Sequence, residues 1–151
     1  MTERWRRLAL YLLLFGTLGR GVELVLLEHY EDPWQWAPLS LLALGFLLAA
    51  LVRFRPSKKT VSGLRGVMAT YLIASAVGLY LHVKSNVEFE LEFRPTMAGT
   101  ELIVETLKGA IPALAPGAMA QLGLLGLLVC FRHPALGSTG TDAHREQESE
   151  K

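Results

Sequence analysis

Apolar stretches alternate with short charged ones along the whole chain, and their lengths are the first clue to its architecture. Leu8 to Leu27 contains only Arg20 and Glu23 as charged residues, and Trp36 to Val52 contains none. Gly66 to Val83 carries Thr70, Ser75 and His82 but no formal charge, and Ala110 to Phe131 has Gln121 as its one strongly polar side chain. At about 1.5 Å per residue, these runs of 17 to 22 residues make helices of roughly 25 to 33 Å, the thickness of a hydrocarbon core. Four soluble helices of this kind would have almost no polar face to turn to water. The pattern therefore predicts an all-α membrane protein, a four-span transmembrane helical bundle with spans at 8–27, 36–52, 66–83 and 110–131.

The connections differ in kind. Glu31 to Gln35 is a tight link with Asp32-Pro33 as its turn signal, and Phe54 to Leu64 is short and basic. The segment 84–109 is the only sizeable piece between spans. Val87, Phe89, Leu91 and Phe93 alternate there with Glu88, Glu90, Glu92 and Arg94, the period-two pattern of a half-buried strand that Pro95 ends. A short helix over 99–108 follows, with Ile103, Val104 and Leu107 on one face and Gly109 as its stop. The expectation is thus a small extracytoplasmic strand-helix segment on a membrane domain spanning 1–133. Residues 134–151 are polar and read as a disordered cytoplasmic tail.

Charge placement orients the bundle. Arg4, Arg6 and Arg7 precede the first run, Arg53, Arg55, Lys58, Lys59 and Arg65 separate the second from the third, and Arg132 follows the fourth. Glu28, Glu31, Asp32, Glu88, Glu90, Glu92, Glu101 and Glu105 fall in the alternate connections, which hold only Lys84, Arg94 and Lys108 as cations. The Lys/Arg bias places both termini in the cytoplasm of a multi-pass protein of the inner (plasma) membrane. Trp5 at one boundary, and Tyr30, Trp34, Trp36 and Tyr80 at the other, fit interfacial aromatic belts. A cleaved signal peptide ending near Thr17 and Gly19 is the competing reading of the N-terminus. It would break this alternation, and apolar character resumes at Val22.

Composition narrows the function classes. The 151 residues are 51% hydrophobic and 19% charged, with a formal net charge of +1 and one cysteine; mean hydropathy is +0.32. There is no electrostatic basis for nucleic-acid binding, and no disulfide scaffold or cysteine-based metal site. Gly16, Gly19 and Gly21 lie inside a span, where they permit close packing rather than cradle a phosphate. Cys130 reads as a small buried hydrophobe, and Pro112 and Pro116 as residues of the first turns of the fourth helix.

The candidate functional residues are the polar ones inside or at the ends of the spans. Arg20 and Glu23 stand three apart on one helical face, deep enough that they must pair or face the interior. Tyr71, Ser75, Gly78 and His82 form a second stripe, and Ser75 and Gln121 reach mid-depth, so Arg20, Glu23, Ser75 and Gln121 are candidates for one polar layer. His29 and His82, with Glu28, Glu31 and Asp32 nearby in sequence, are the candidate ligands of a divalent metal, and the two histidines alone of a haem. The competing reading is two interfacial histidines bonded to neighbouring acids.

Three functions follow, in order. The first is a non-enzymatic interaction or accessory protein with an acidic outward-facing cap, whose partners are the lipid bilayer and other membrane proteins or a second copy of itself. The second is a redox or metal-binding subunit using His29 and His82. The third is a small oligomeric transporter using Glu23 as its titrating carboxylate. Four short spans with an acidic residue in the first are similar to the small multidrug-resistance transporters. Arg20, the longer outer segment and the tail depart from that pattern, so no function is carried over.

Overall fold

The computed structural model describes residues 2–109 and 111–137. Its elements are helices α1 (Glu3–Leu26), α2 (Trp36–Phe54), α3 (Lys58–Phe93), α4 (Gly99–Lys108), α5 (Gly117–Cys130) and the single turn α6 (Pro134–Gly137), with a 3-10 turn at Pro33–Gln35 leading into α2. Four of them close a ring in which α1 packs on α2, α2 on α3, α3 on α5 and α5 back on α1. Leu13, Leu42, Leu64, Met68 and Tyr71 fill its centre. The outward faces are as apolar as the inward ones: Phe15, Leu26, Leu47 and Ile73 are all more than half exposed. A helix that is apolar all round needs an apolar surrounding. Three helices, α1, α2 with its leading turn, and α3, are long and apolar enough to cross a membrane, and less than a third of each is buried within the chain.

Close helix crossings depend on glycines in α2 and α5. A Cβ at Gly123 would lie 2.9 Å from the Met68 carbonyl oxygen, so the backbones of α5 and α3 touch there. At Gly45 a Cβ would strike the Tyr71 hydroxyl, which donates a 3.0 Å hydrogen bond to the Leu41 carbonyl. Gly16 is also closely packed, against Leu122, whereas Gly19, Gly21 and Gly117 have open space beside them.

Two expectations about the third and fourth spans are corrected. Residues 87–93 are not a strand: α3 continues through them, and at 36 residues it is about 54 Å long. A lone strand leaves its backbone groups unpaired, while the helix pairs each with the turn before. Continued as a helix, the same alternation brings Phe89 and Phe93 together, with ring centroids 4.9 Å apart. It also sets up ion pairs of Lys84 with Glu88 and of Glu90 with Arg94. The 84–109 segment is therefore a helical hairpin of the end of α3 and α4.

The fourth apolar run is helical only from Gly117, and α5 with 14 residues is about 21 Å long. Pro116 caps it and Pro112 lies in the preceding turn, neither of them within the helix. Each proline lacks a backbone N–H and disfavours helical backbone in the residue before it, so the two keep residues 111–116 irregular. Of the presumed tail, Pro134–Gly137 forms one helical turn, and residues 138–151 lie outside the described residues.

The end of α1 shows why Glu28 sits where it does. His29 N–H bonds to the Leu24 carbonyl (2.9 Å) and Glu28 N–H to the Val25 carbonyl (3.0 Å), the double closure of a Schellman turn. That turn needs a left-handed residue, and Glu28 supplies it at φ 53°. A side chain there costs about 1 kcal/mol relative to glycine. Glu28→Gly is therefore expected to stabilise the folded protein by about 1 kcal/mol, read from denaturant unfolding in detergent. A destabilised variant would show that the Glu28 carboxylate makes a contact that outweighs the strained backbone.

Candidate functional site

The irregular segment 111–116 is where the polar side chains of the bundle converge. It runs beside α3, and side chains from α1 and α3 take up its peptide groups in turn. Asn86 Nδ2 donates to the carbonyls of Ile111 (2.7 Å) and Thr106 (3.0 Å), while Asn86 Oδ1 accepts from Ile111 N–H (3.2 Å). His82 Nδ1 lies 3.1 Å from the Pro112 carbonyl. Because a carbonyl only accepts, that nitrogen carries the proton. Arg20 Nη2 donates to Ala115 (3.1 Å), and Ser75 Oγ to Pro116 (2.8 Å). Ser75, His82 and Asn86 fall on one face of α3 at spacings of seven and four. Gly78 on the same face leaves room for the Pro116 ring: a Cβ there would be 3.0 Å from it.

Arg20 joins this seam to the surface of α1. Its Nη1 pairs with Glu23 Oε2 at 2.6 Å, one helical turn on, while its Nε is buried with no hydrogen-bond partner. The Arg20 side chain is 14% exposed and that of Glu23 52%, so the guanidinium is inside and the carboxylate at the rim. The structure thus places Arg20 and Ser75 on the same segment, with Glu23 attached through Arg20. Gln121 is not among them; it lies on the exposed face of α5.

His29 and His82 lie at the same end of the molecule. The His29 pKa is held below the usual imidazole range, first by burial and then by the charges of His82 and Arg20. It is a neutral ring near pH 7. Glu28, Glu31 and Asp32 are exposed, and among the described residues no three His, Cys, Asp or Glu side chains gather into a metal-sized group.

Asn86 is the residue that sequence reasoning missed. It is 2% exposed and makes three hydrogen bonds, two to Ile111 of the segment and one to the Thr106 carbonyl of α4. Its signal was its place four residues beyond His82, on the stripe already formed by Ser75, Gly78 and His82, but residues 87–94 read as a strand hid that continuity. Gly109 makes room for it, since a Cβ there would strike the Asn86 amide.

The second feature is the outer surface of the hairpin. On α4, Thr106 is buried against α3, while Ile103, Val104 and Leu107 are exposed. Phe89 and Phe93 of α3 are exposed as well. Arg94 pins the two arms together through Glu90 (3.0 Å) and Glu101 (3.1 Å). The predicted apolar face of α4 thus exists but is left uncovered by the chain itself. No protein-family model, curated protein or solved structure matches this chain.

Proposed function

We propose that this is a small multi-pass membrane protein that works as a non-enzymatic accessory protein, engaging another membrane protein through the hairpin of the C-terminal part of α3 and α4. The exposed apolar set of Phe89, Phe93, Ile103, Val104 and Leu107 carries this reading. Apolar patches on a segment standing clear of the spans are characteristic of interaction sites. Glu88, Glu92 and Glu101 are exposed around them and would form an acidic rim.

An outward position for the hairpin goes with reading residues 111–130 as a fourth crossing. Residues 111–130 follow α3 from the level of Asn86 back to Val61, whose carbonyl lies 3.6 Å from Cys130 Sγ. The segment therefore returns along most of the length of α3, in an irregular half and a helical half. Irregular backbone is tolerated at membrane depth where protein encloses it and its polar groups are bonded, as the contacts of Asn86, His82, Arg20 and Ser75 arrange here. Read as a crossing, this segment with α1 to α3 makes an even number, in keeping with both termini on the Lys/Arg-rich side.

The test is photo-crosslinking in native membranes from a benzophenone amino acid at Phe93 or Ile103, with Leu47 on α2 as the lipid-facing reference. A discrete protein adduct from the hairpin positions that Leu107→Glu abolishes, without a change in unfolding midpoint, is the expected result. Adducts identical to those from Leu47 would refute the proposal.

A further inference from the structure

At the end of the molecule opposite the hairpin, the first turns of α1, the last turn of α2 and the residues following α5 enclose an open cleft of about 380 Å³, lined by charged and apolar residues in two zones. Arg6, Arg7 and Arg53 supply the positive charge and Glu3 is the single acid, while burial and the Arg6 charge hold the His133 pKa below the usual imidazole range. Leu10, Val52 and Val129, all buried in the core, form the floor beneath them. The volume falls within the range of small-ligand sites.

Arg6 sets this cleft apart from an ordinary basic surface. It is 6% exposed, its Nη1 pairs with Glu3 (2.9 Å) and its Nη2 donates to the Arg132 carbonyl (3.2 Å), yet its Nε is buried with no partner. A buried guanidinium donor without an acceptor is costly unless something completes it. Arg132 is held at φ 46°, a left-handed conformation that places this carbonyl within reach of Arg6. Arg53 is likewise fixed: its Nε donates to the Tyr11 hydroxyl (2.9 Å), and its guanidinium stands over the Tyr11 and Phe54 rings. Two fixed arginines, with the exposed Arg7 beside them, suit an anionic group. Arginine forks match phosphate oxygens in geometry as well as charge.

We infer that this cleft binds a phosphate group, supplied by the headgroup of an anionic phospholipid. Basic pockets between membrane helices on the Lys/Arg-rich side are suited to such headgroups. The inference is independent of what the hairpin binds.

The test uses the full-length protein in a neutral detergent, titrated with phosphatidylglycerol, phosphatidylcholine or inorganic phosphate and read by native mass spectrometry and by the unfolding midpoint. Retention of phosphatidylglycerol over phosphatidylcholine is expected, with affinity falling at least about fivefold per charge removed in Arg7→Gln/Arg53→Gln. Arg4→Gln/Lys59→Gln removes the same charge from exposed positions outside the cleft lining and is expected to leave retention unchanged. This pair keeps the test sound even if Arg6→Gln fails to fold. Equal response to inorganic phosphate alone would retain the phosphate site and reassign its source to a soluble anion. Equal loss in both double variants, or no preference between the two lipids, would overturn the site.

Discussion

Asn86→Ala is expected to lower the unfolding free energy by about 3 to 5 kcal/mol, measured by denaturant titration in detergent. The substitution removes one side chain and orphans two backbone groups at once, the Ile111 carbonyl and the Ile111 N–H, and it leaves the Thr106 carbonyl with only the 3.4 Å bond from Gly109 N–H. Each buried group left without a partner costs about 1 to 3 kcal/mol. Against a total stability on the order of 5 to 15 kcal/mol, that is a large fraction. Two pieces of chain lose their attachment together, because the same amide ties α4 and the 111–116 segment to α3. Ser85→Ala, one residue away on the exposed side of α3, serves as the control and is expected to change little. A loss below about 1 kcal/mol for Asn86→Ala would mean that water replaces the amide, and that the segment is not closed off as described.

The second large effect is at the Arg20–Glu23 pair. Glu23→Leu strands the buried guanidinium without its counter-charge and is expected to cost about 3 kcal/mol. Arg20→Leu leaves the half-exposed Glu23 carboxylate, and the Ala115 carbonyl keeps its bond from Ala118 N–H (3.2 Å), so it should cost less, about 1 to 2 kcal/mol. The double replacement Arg20→Leu/Glu23→Leu has no uncompensated charge, so it should recover most of the Glu23→Leu loss. A double variant no more stable than Glu23→Leu alone would show that the stranded charge is not the source of the effect.

How far the fold could be read from sequence depended on which force decided each element. The spans through Arg20 and Glu23, from Trp36 to Val52 and from Gly66 to Val83 lie within α1, α2 and α3, because uniform apolarity over such lengths has few alternatives. The 99–108 helix was legible for a similar local reason: its apolar residues recur at helical spacing, and Gly109 ends it. Residues 87–93 were misread because alternation of Val87, Phe89, Leu91 and Phe93 against glutamates satisfies a strand pattern, while the helix already running through Val83 gives the backbone its partners at no further closure cost. The start of the fourth helix was placed too early because apolarity was weighed above Pro112 and Pro116. The stripe of Ser75, Gly78 and His82 was visible by periodicity, but not that a non-helical segment lies against it. Only folding brings residues some 25 to 95 positions apart, such as Asn86 with Ile111 or Arg20 with Ala115, into one seam.

The shortness of α5 also bears on how the chain enters a membrane. An apolar helix about 21 Å long falls short of a hydrocarbon core of roughly 30 Å, and the six residues before it carry backbone groups that lipid cannot solvate. Such a segment has little tendency to partition as an independent unit. Local backbone N–H groups meet the carbonyls of Pro112, Leu114, Ala115 and Pro116, so α1 and α3 add second bonds there from His82, Arg20 and Ser75, while Asn86 alone supplies both partners of Ile111. The 111–130 segment is therefore expected to settle last, against a surface that α1 and α3 have already built.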